Sequence, residues 1–429
     1  MVLVPVIMFA WFWFWRSHGF TGGDSEYWER LIHGGVWLNK RQMLSFFVMQ
    51  LAFRITHALF GWTAFIAMNL VSCLAGALAM LASWALLRER EHAGWSFAIV
   101  ATAGFTAMFC GNIESYAQPV AALLLHFLAI RRYQQRRWPL WTLSFTYSLA
   151  LCFHMINMAA LPALAALLAW QAKRRNISWR DAWLFALGAS PALVLWWTVS
   201  VCSIGYGPLA DSNNCIVPPM ELLTKPWLVF TSPFLQLKQW FIVWNGGVAA
   251  ILAIPAIIWA FRKPSENHFT IILTLYFLCF LAHWLAWKPD RGLYDWDLFS
   301  FPWVVAVFLY AWHAMELPWR SAGVGLALGC NMLLFAYRPA QYAQICERGY
   351  GTIEVHAAEG AEPRRVMLDE RIYLAPENRY VLAGIHQIRS ISNAAAESKF
   401  IRVVVMRAGE RHVYRYDDQT IRLERIERK

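Results

Sequence analysis

Uncharged apolar runs long enough to cross a bilayer recur along most of this chain, and they rule out a water-soluble core. The stretches 62–87, 240–261 and 269–287 contain no Asp, Glu, Lys or Arg. A helix rises 1.5 Å per residue, so about 20 apolar residues cross the hydrocarbon layer. Apolar residues fill 59% of the 429 positions and charged ones 15%, the balance of a polytopic membrane protein. Further runs at 1–20, 95–110, 116–130, 138–153, 155–171, 181–203, 298–315 and 321–337 bring the expected total to about 11 crossings. The first run has no basic leader and no small-residue cleavage site, so it reads as a retained helix. Many of the 25 Trp residues stand at the ends of runs (Trp62, Trp95, Trp138, Trp179, Trp240), where an amphipathic ring suits the headgroup layer.

The net charge of +11 reports topology, not nucleic acid. Arg88/Arg90, Arg131/Arg132/Arg136/Arg137, Lys173/Arg174/Arg175, Arg262/Lys263 and Arg320 fall on every second connection, which the positive-inside rule assigns to the cytoplasm. The N-terminus is then cytoplasmic. The loop after the first run, 111–115, 154–157, 206–238 and 288–297 all fall on the outer side. The segment 40–60 is apolar but carries Arg54 and His57 three residues apart, on one helical face, and is expected to lie along the interface. Eight cysteines show no metal-ligand spacing; Cys202 and Cys215 both fall on the outer side, where pairing and free thiols stay open as alternatives. After Tyr337 the composition turns polar. The alternating stretches from Lys399, Arg411 and Thr420 read as three strands joined by tight turns. The expected fold is thus an all-α polytopic domain over 1–338, with its outer loop at 16–61, followed by a small β-rich extracytoplasmic domain over 339–429.

The outer connections gather the chemistry. Gly22-Gly23-Asp24-Ser25-Glu26-Tyr27-Trp28-Glu29 places three carboxylates within six residues; the glycines let the chain leave a membrane helix, and Ser25 can cap a short helix to Gly34. Glu114 sits in a turn so short that it must lie near the bilayer edge. His154 and Asn157 follow, then Lys288, Asp290, Arg291, Tyr294, Asp295 and Asp297, of which Asp297 suits an N-cap. Ionisable groups this close to hydrocarbon are costly, and gathered on one side they point to function. A carboxylate there can act as general base on an acceptor hydroxyl, while Lys288 and Arg291 neutralise a phosphate leaving a sugar. A lipid carrier for that phosphate needs a groove for its tail and cations at the interface, bordered here by Arg54 and His57.

An early outer-loop acid, here Gly23-Asp24-Ser25-Glu26, followed by interfacial segments over 31–60, many spans and a terminal domain on the same side, resembles the GT-C superfamily of membrane glycosyltransferases. The resemblance implies sugar transfer from a polyprenyl-phosphate donor to a lipid, glycan or protein acceptor at the outer face of a cell membrane, the bacterial inner membrane in a bacterium. It implies Asp24 as the catalytic base, helped by Glu26 and Glu114. It further implies a divalent Mg or Mn ion on Asp24 and Glu114 where the branch uses one, and substrate contacts from Lys288, Arg291, His154, Asn157, Tyr294, Asp295, Arg54 and His57. The chain departs from the protein mannosyltransferase and aminoarabinose transferase branches, because the first loop has no Asp-Glu pair and the next outer loop no Gly-His-Pro. The other functional class, a transporter or flippase for a lipid-linked or anionic solute, is expected to bury charge at mid-membrane, whereas most runs here are uncharged at their middles. Replacing Lys288 and Arg291 together with Gln is predicted to weaken binding of a polyprenyl-phosphate sugar by about tenfold or more, measured on the purified protein in lipid nanodiscs.

Overall fold

The computed structural model describes residues 3–16, 25–112, 115–174, 178–201, 234–262, 268–286 and 298–349, together with the backbone of strands between 351 and 428. The described residues up to Ala336 form one compact unit and those from Tyr337 onward a second.

The first unit is helical. Its helices are α1 (Leu3–Phe14), α2 (Ser25–His33), α3 (Met43–Phe60), α4 (Ala64–Leu87), α5 (Ala93–Thr102), α6 (Ala117–Gln134), α7 (Trp141–Phe153), α8 (Leu161–Arg174), α9 (Trp179–Val201), α10 (Phe234–Phe261), α11 (His268–Ala286), α12 (Phe301–His313) and α13 (Arg320–Gly349). Among the described residues seven segments are long and apolar enough to cross a membrane, where the sequence leads one to expect about 11. The shortfall falls on helices that end early, such as Leu3–Phe14, Ala93–Thr102 and Trp141–Phe153. The chain is an integral membrane protein.

Burial separates the centre from the rim. In the 298–316 window 89% of residues are buried, against 11% in 179–199, so α12 is central and α9 faces lipid. Every residue of α12 is buried. α4 reaches its neighbours through small residues: at Gly76 the rings of Phe12 and Phe109 occupy the space a side chain would need, and the two rings pack 5.5 Å apart. The expected single span 95–110 is broken. α5 stops at Thr102, Ala103 is extended, and Gly104–Phe109 forms a 3-10 turn. The cause is a close approach, since a Cβ on Gly104 would lie 1.6 Å from the Trp244 carbonyl oxygen of α10. α10 itself kinks at Gly247, whose φ of 53° only glycine adopts readily. The expected span 155–171 likewise opens with a 3-10 turn, Met155–Ala160, and the span 321–337 continues as helix to Gly349. Lys238, placed by sequence in an outer connection, belongs to α10.

The basic connections are built into the packing. Glu89, just after α4, accepts hydrogen bonds from Arg131 (3.1 Å), Arg132 and Gln135 (2.5 Å) of the α6 end, and Arg132 also donates to the Ala85 carbonyl at 3.1 Å. Arg90 pairs with Glu316 beyond α12 and lies over the Trp312 ring at 4.8 Å. Deep between these ends His126 of α6 is fully buried. Thr146 spends its hydroxyl proton on the Thr142 carbonyl (2.7 Å), so it must accept from His126 Nδ1 (2.9 Å), which leaves Nε2 to accept from the Tyr276 hydroxyl (2.7 Å). The network ties α6, α7 and α11 together with every ring nitrogen paired and no charge.

In the second unit the strands are β1 (Gly351–Ala357), β2 (Arg364–Leu368), β3 (Arg371–Ala375), β4 (Arg379–Gly384), β5 (Ile391–Asn393), β6 (Phe400–Arg407), β7 (Glu410–Asp417) and β8 (Thr420–Arg428). They pair as a sheet of order β4-β1-β6-β7-β8 and a second of order β3-β2-β5.

Because a backbone carbonyl cannot yield at the α10 crossing, Gly104→Ala is expected to cost about 3 kcal/mol or more, read as a lower midpoint in a detergent thermal melt.

Candidate functional site

α3 is long and apolar enough to cross a membrane, yet its contacts put both of its ends at one end of the bundle. At its start the Ser45 hydroxyl donates to the Phe153 carbonyl (2.9 Å) at the end of α7 and approaches the Ser115 carbonyl (3.5 Å) just ahead of α6. Just beyond its other end Trp62 stacks on Trp13 near the end of α1 (5.9 Å), and Thr63 caps α4. Between them Phe46, Met49 and Phe53 pack with Trp28 and Ile32 of α2 on Ala64, Ala67, Met68 and Val71, the first turns of α4. α3 therefore lies across the bundle end. Its opposite face exposes Phe47, Leu51, Ile55 and Leu59 in an i, i+4 stripe, suited to the acyl region below the headgroups.

This end joins the roots of the connections that sequence singles out. Arg16, after α1, packs on Gly111, where a Cβ would lie 2.8 Å from the Arg16 Cβ. The segment holding Asp24 thus departs beside the turn that holds Glu114. On the far flank of each, Trp28 meets Phe46 at 4.7 Å while Ser45 approaches Ser115. Asp24, Glu114, Lys288, Arg291, Tyr294, Asp295 and Asp297 lie outside the described residues, as do Cys202 and Cys215. Glu26 falls in the first turn of α2, where the positive end of the helix dipole favours an acid.

At the start of α3 a polar cluster is assembled around His154. The ring is buried and lies 5.0 Å from the Tyr116 ring. Nδ1 accepts the Ile156 N–H at 3.0 Å, capping the 3-10 turn, so the one proton of the neutral ring is on Nε2. Nε2 faces Gln42 at 3.1 Å. Turning the Gln42 amide over places its otherwise unpaired Oε1 there as the acceptor. Next to it the Met155 N–H donates to the Arg41 carbonyl (3.0 Å), and the Asn157 amide donates to the Ala150 carbonyl (2.9 Å). Burial, then the Arg41 and His283 charges, hold the His154 pKa down at about 3. His154 thus spends both ring nitrogens on the scaffold, whereas Asn157 spends its amide N–H and leaves Oδ1 buried without a partner among the described residues.

Arg54 and His57 stand apart from this cluster, about 18 Å and about 22 Å along α3 from Gln42. Both are exposed; the Arg54 guanidinium reaches Gly35 at the α2–α3 connection, and His57 Nδ1 faces the Trp62 carbonyl at 3.0 Å. Sequence reasoning missed Gln42, Ser45, Ser115 and Gln118. Its usable signal was a polar residue isolated within an apolar run, as at Tyr116-Ala-Gln118-Pro119. Among the described residues the Ser115 hydroxyl and both amide atoms of Gln118 are buried without a partner.

Beside the cluster an apolar cavity of about 300 Å³ opens between Leu44 of α3, Phe145, Leu149 and Cys152 of α7, and Pro191, Val194 and Leu195 of α9. Leu44 and Cys152 are each two residues from the Gln42–His154 pair, so the cavity abuts the polar cluster. Among the described residues no three His, Cys, Asp or Glu side chains converge to hold a metal ion.

No family model matches the chain, and no curated protein matches it. Among solved structures it is similar to ArnT from Cupriavidus metallidurans bound to undecaprenyl phosphate, at 13% identity and a TM-score of 0.51 over 80% of this chain. The chain spans 64% of the length of that protein. The likeness shows that the two chains share a fold.

A buried neutral His154 carries a pH signature. Its folded pKa lies below the unfolded value, so from about pH 6.5 downward only the unfolded chain takes up the proton. Its contribution is whole above pH 6.5 and is lost as the pH falls. Between pH 7 and pH 5 the wild type is expected to lose about 2 kcal/mol more stability than His154→Gln, measured by thermal melts across that range.

Proposed function

We propose that this protein is a membrane glycosyltransferase that moves a sugar from a polyprenyl-phosphate carrier to a lipid, glycan or protein acceptor at the outer face of the membrane. The observation that carries this reading is the shared root of the Asp24 and Glu114 segments, through Arg16 on Gly111, at the end of the bundle where α3 lies crosswise. The apolar cavity between α3, α7 and α9 adds a place for part of an isoprenoid tail. The bound undecaprenyl phosphate of the similar ArnT structure is in keeping with such a carrier.

In this reading Asp24 accepts the proton of the acceptor hydroxyl as its oxygen attacks the anomeric carbon from the face opposite the phosphate. The new C–O bond forms as the bond to the phosphate oxygen breaks, which inverts the centre and releases polyprenyl phosphate. Glu26 and Glu114 assist the base, and Lys288 and Arg291, with Tyr294 and Asp295 beside them, receive the charge that grows on the leaving phosphate. Where a Mg or Mn ion is used, Asp24 and Glu114 would hold it, and it would offset charge on the donor phosphate. His154 and Asn157 support the pocket from below, while Arg54 and His57 border the lipid. The strands after Gly349 belong to an extracytoplasmic β-rich domain on the same side, with the N-terminus cytoplasmic and the protein in a bacterial inner membrane.

Asp24→Asn keeps the shape of the side chain and removes the base. Transfer from a polyprenyl-phosphate sugar in proteoliposomes is expected to fall by about a hundredfold or more at unchanged expression, and a variant as active as the wild type would refute the assignment.

A further inference from the structure

At the end of the bundle that holds Glu89, α6 closes in a hydrogen-bonded turn with an arginine where glycine is the usual residue. The Arg136 N–H donates to the Tyr133 carbonyl and the Arg137 N–H to the Arg132 carbonyl, both at 2.9 Å, the paired bonds that end a helix over a left-handed residue. That residue is Arg136, with φ of 59°. A Cβ makes this conformation costly, and glycine adopts it freely. Among the described residues one other non-glycine residue has such a backbone, His92 with φ of 57°, and its Nε2 faces the neighbouring Glu91 at 3.4 Å. Arg136 is exposed and has no ion-pair partner among the described residues.

The charge around it is one-sided. Glu89, the acid that reaches this end of α6, spends its oxygens on Arg131, Arg132 and Gln135. Arg137 comes no nearer to Glu89 than 3.8 Å and leaves 61% of its side chain exposed. The turn thus carries two costs, a strained backbone and adjacent unopposed cations, and a cost of this kind at a surface points to a ligand of opposite charge.

The connection also fixes the depth of that ligand. Only residues 135–140 separate α6 from α7, which opens at the 39% exposed Trp141 and is uncharged from there on. An exposed Trp at the end of an apolar helix marks the headgroup layer, so the two guanidinium groups stand at the depth of lipid phosphates. α9 runs beside α7 in the same direction, since the Ser148 hydroxyl accepts the Ala192 N–H at 2.8 Å and a Cβ on Gly188 would lie 2.6 Å from the Trp141 carbonyl. The start of α9 therefore adds the exposed Trp179 and Arg180 to this end, where Asp181 is held by the Ser178 hydroxyl at 2.7 Å.

We infer that the Arg136–Arg137 turn seats the headgroup of an anionic phospholipid. Guanidinium forks suit the paired oxygens of a phosphodiester, and a lipid with no cation of its own leaves that charge to them. The inference does not rest on the transferase reading, since none of these residues belongs to that site.

The test measures binding of phosphatidylglycerol to the full chain in phosphatidylcholine nanodiscs by native mass spectrometry, with thermal melts of every variant in both lipids. Affinity is expected to fall about fivefold in Arg136→Gly and about twentyfold or more when Arg136 and Arg137 are both replaced with Gln. Arg136→Gly relieves the backbone, so its melting point in pure phosphatidylcholine is expected at or above that of the wild type, while the rise that phosphatidylglycerol gives the wild type shrinks. Unchanged phosphatidylglycerol affinity in either variant would overturn the seat, as would a wild type that binds phosphatidylcholine equally well. Inorganic phosphate that binds the wild type as tightly as phosphatidylglycerol does would overturn the lipid as its occupant.

Discussion

In hydrocarbon, every backbone group and every charge has to find its partner within the protein, and the rest of this structure follows from that requirement. It turns the apolar runs into helices and drives the charges to the two ends. It also dictates what is allowed between them. His126 is tolerated at depth because Thr146 and Tyr276 satisfy both ring nitrogens in a neutral chain of hydrogen bonds. At one end Glu89 gathers Arg131, Arg132 and Gln135, and these side chains weld α4 to α6.

At the other end the polar groups are arranged differently. α3 lies across the bundle and carries an apolar stripe on one side and the Phe46–Phe53 contact on the other, so it caps α4 while keeping hydrocarbon-compatible residues outward. Gln42 and Ser45 at its start tie it to α7 and to the turn before α6. Near this cluster an apolar cavity opens between α3, α7 and α9. The cluster keeps His154 neutral by burial and fixes the course of the backbone at Arg41.

Much of the fold was legible. The runs at 62–87, 116–130, 138–153 and 269–287 match α4, α6, α7 and α11 closely, because an uncharged run of that length has no alternative in a membrane. The short α2 followed from Ser25 and the acids after it, and the crosswise course of α3 from Arg54 and His57. The break after Thr102 was not legible, since its cause is the Trp244 carbonyl pressed onto Gly104 from a helix 140 positions away. Nor was the burial of Lys238, which reads as a loop residue until the end of α11 is brought beneath it. Of the site, sequence picked out His154 and Asn157 as polar residues near the outer surface, but not that the His154 ring and the Asn157 amide N–H serve the scaffold.

Sequence by itself determined that this is a helical membrane protein, roughly where most of its helices run and which connections carry acids and bases. These depend on the free energy of moving each stretch between water and hydrocarbon, a sum over neighbouring residues. Tertiary structure alone decided which of those connections share a root, that Arg16 meets Gly111, that Gln42 meets His154 and that Lys238 meets Leu285. Such meetings depend on packing between helices far apart in the chain, where contacts of one small residue or one carbonyl select the neighbour, and no local sum of hydrophobicity contains them.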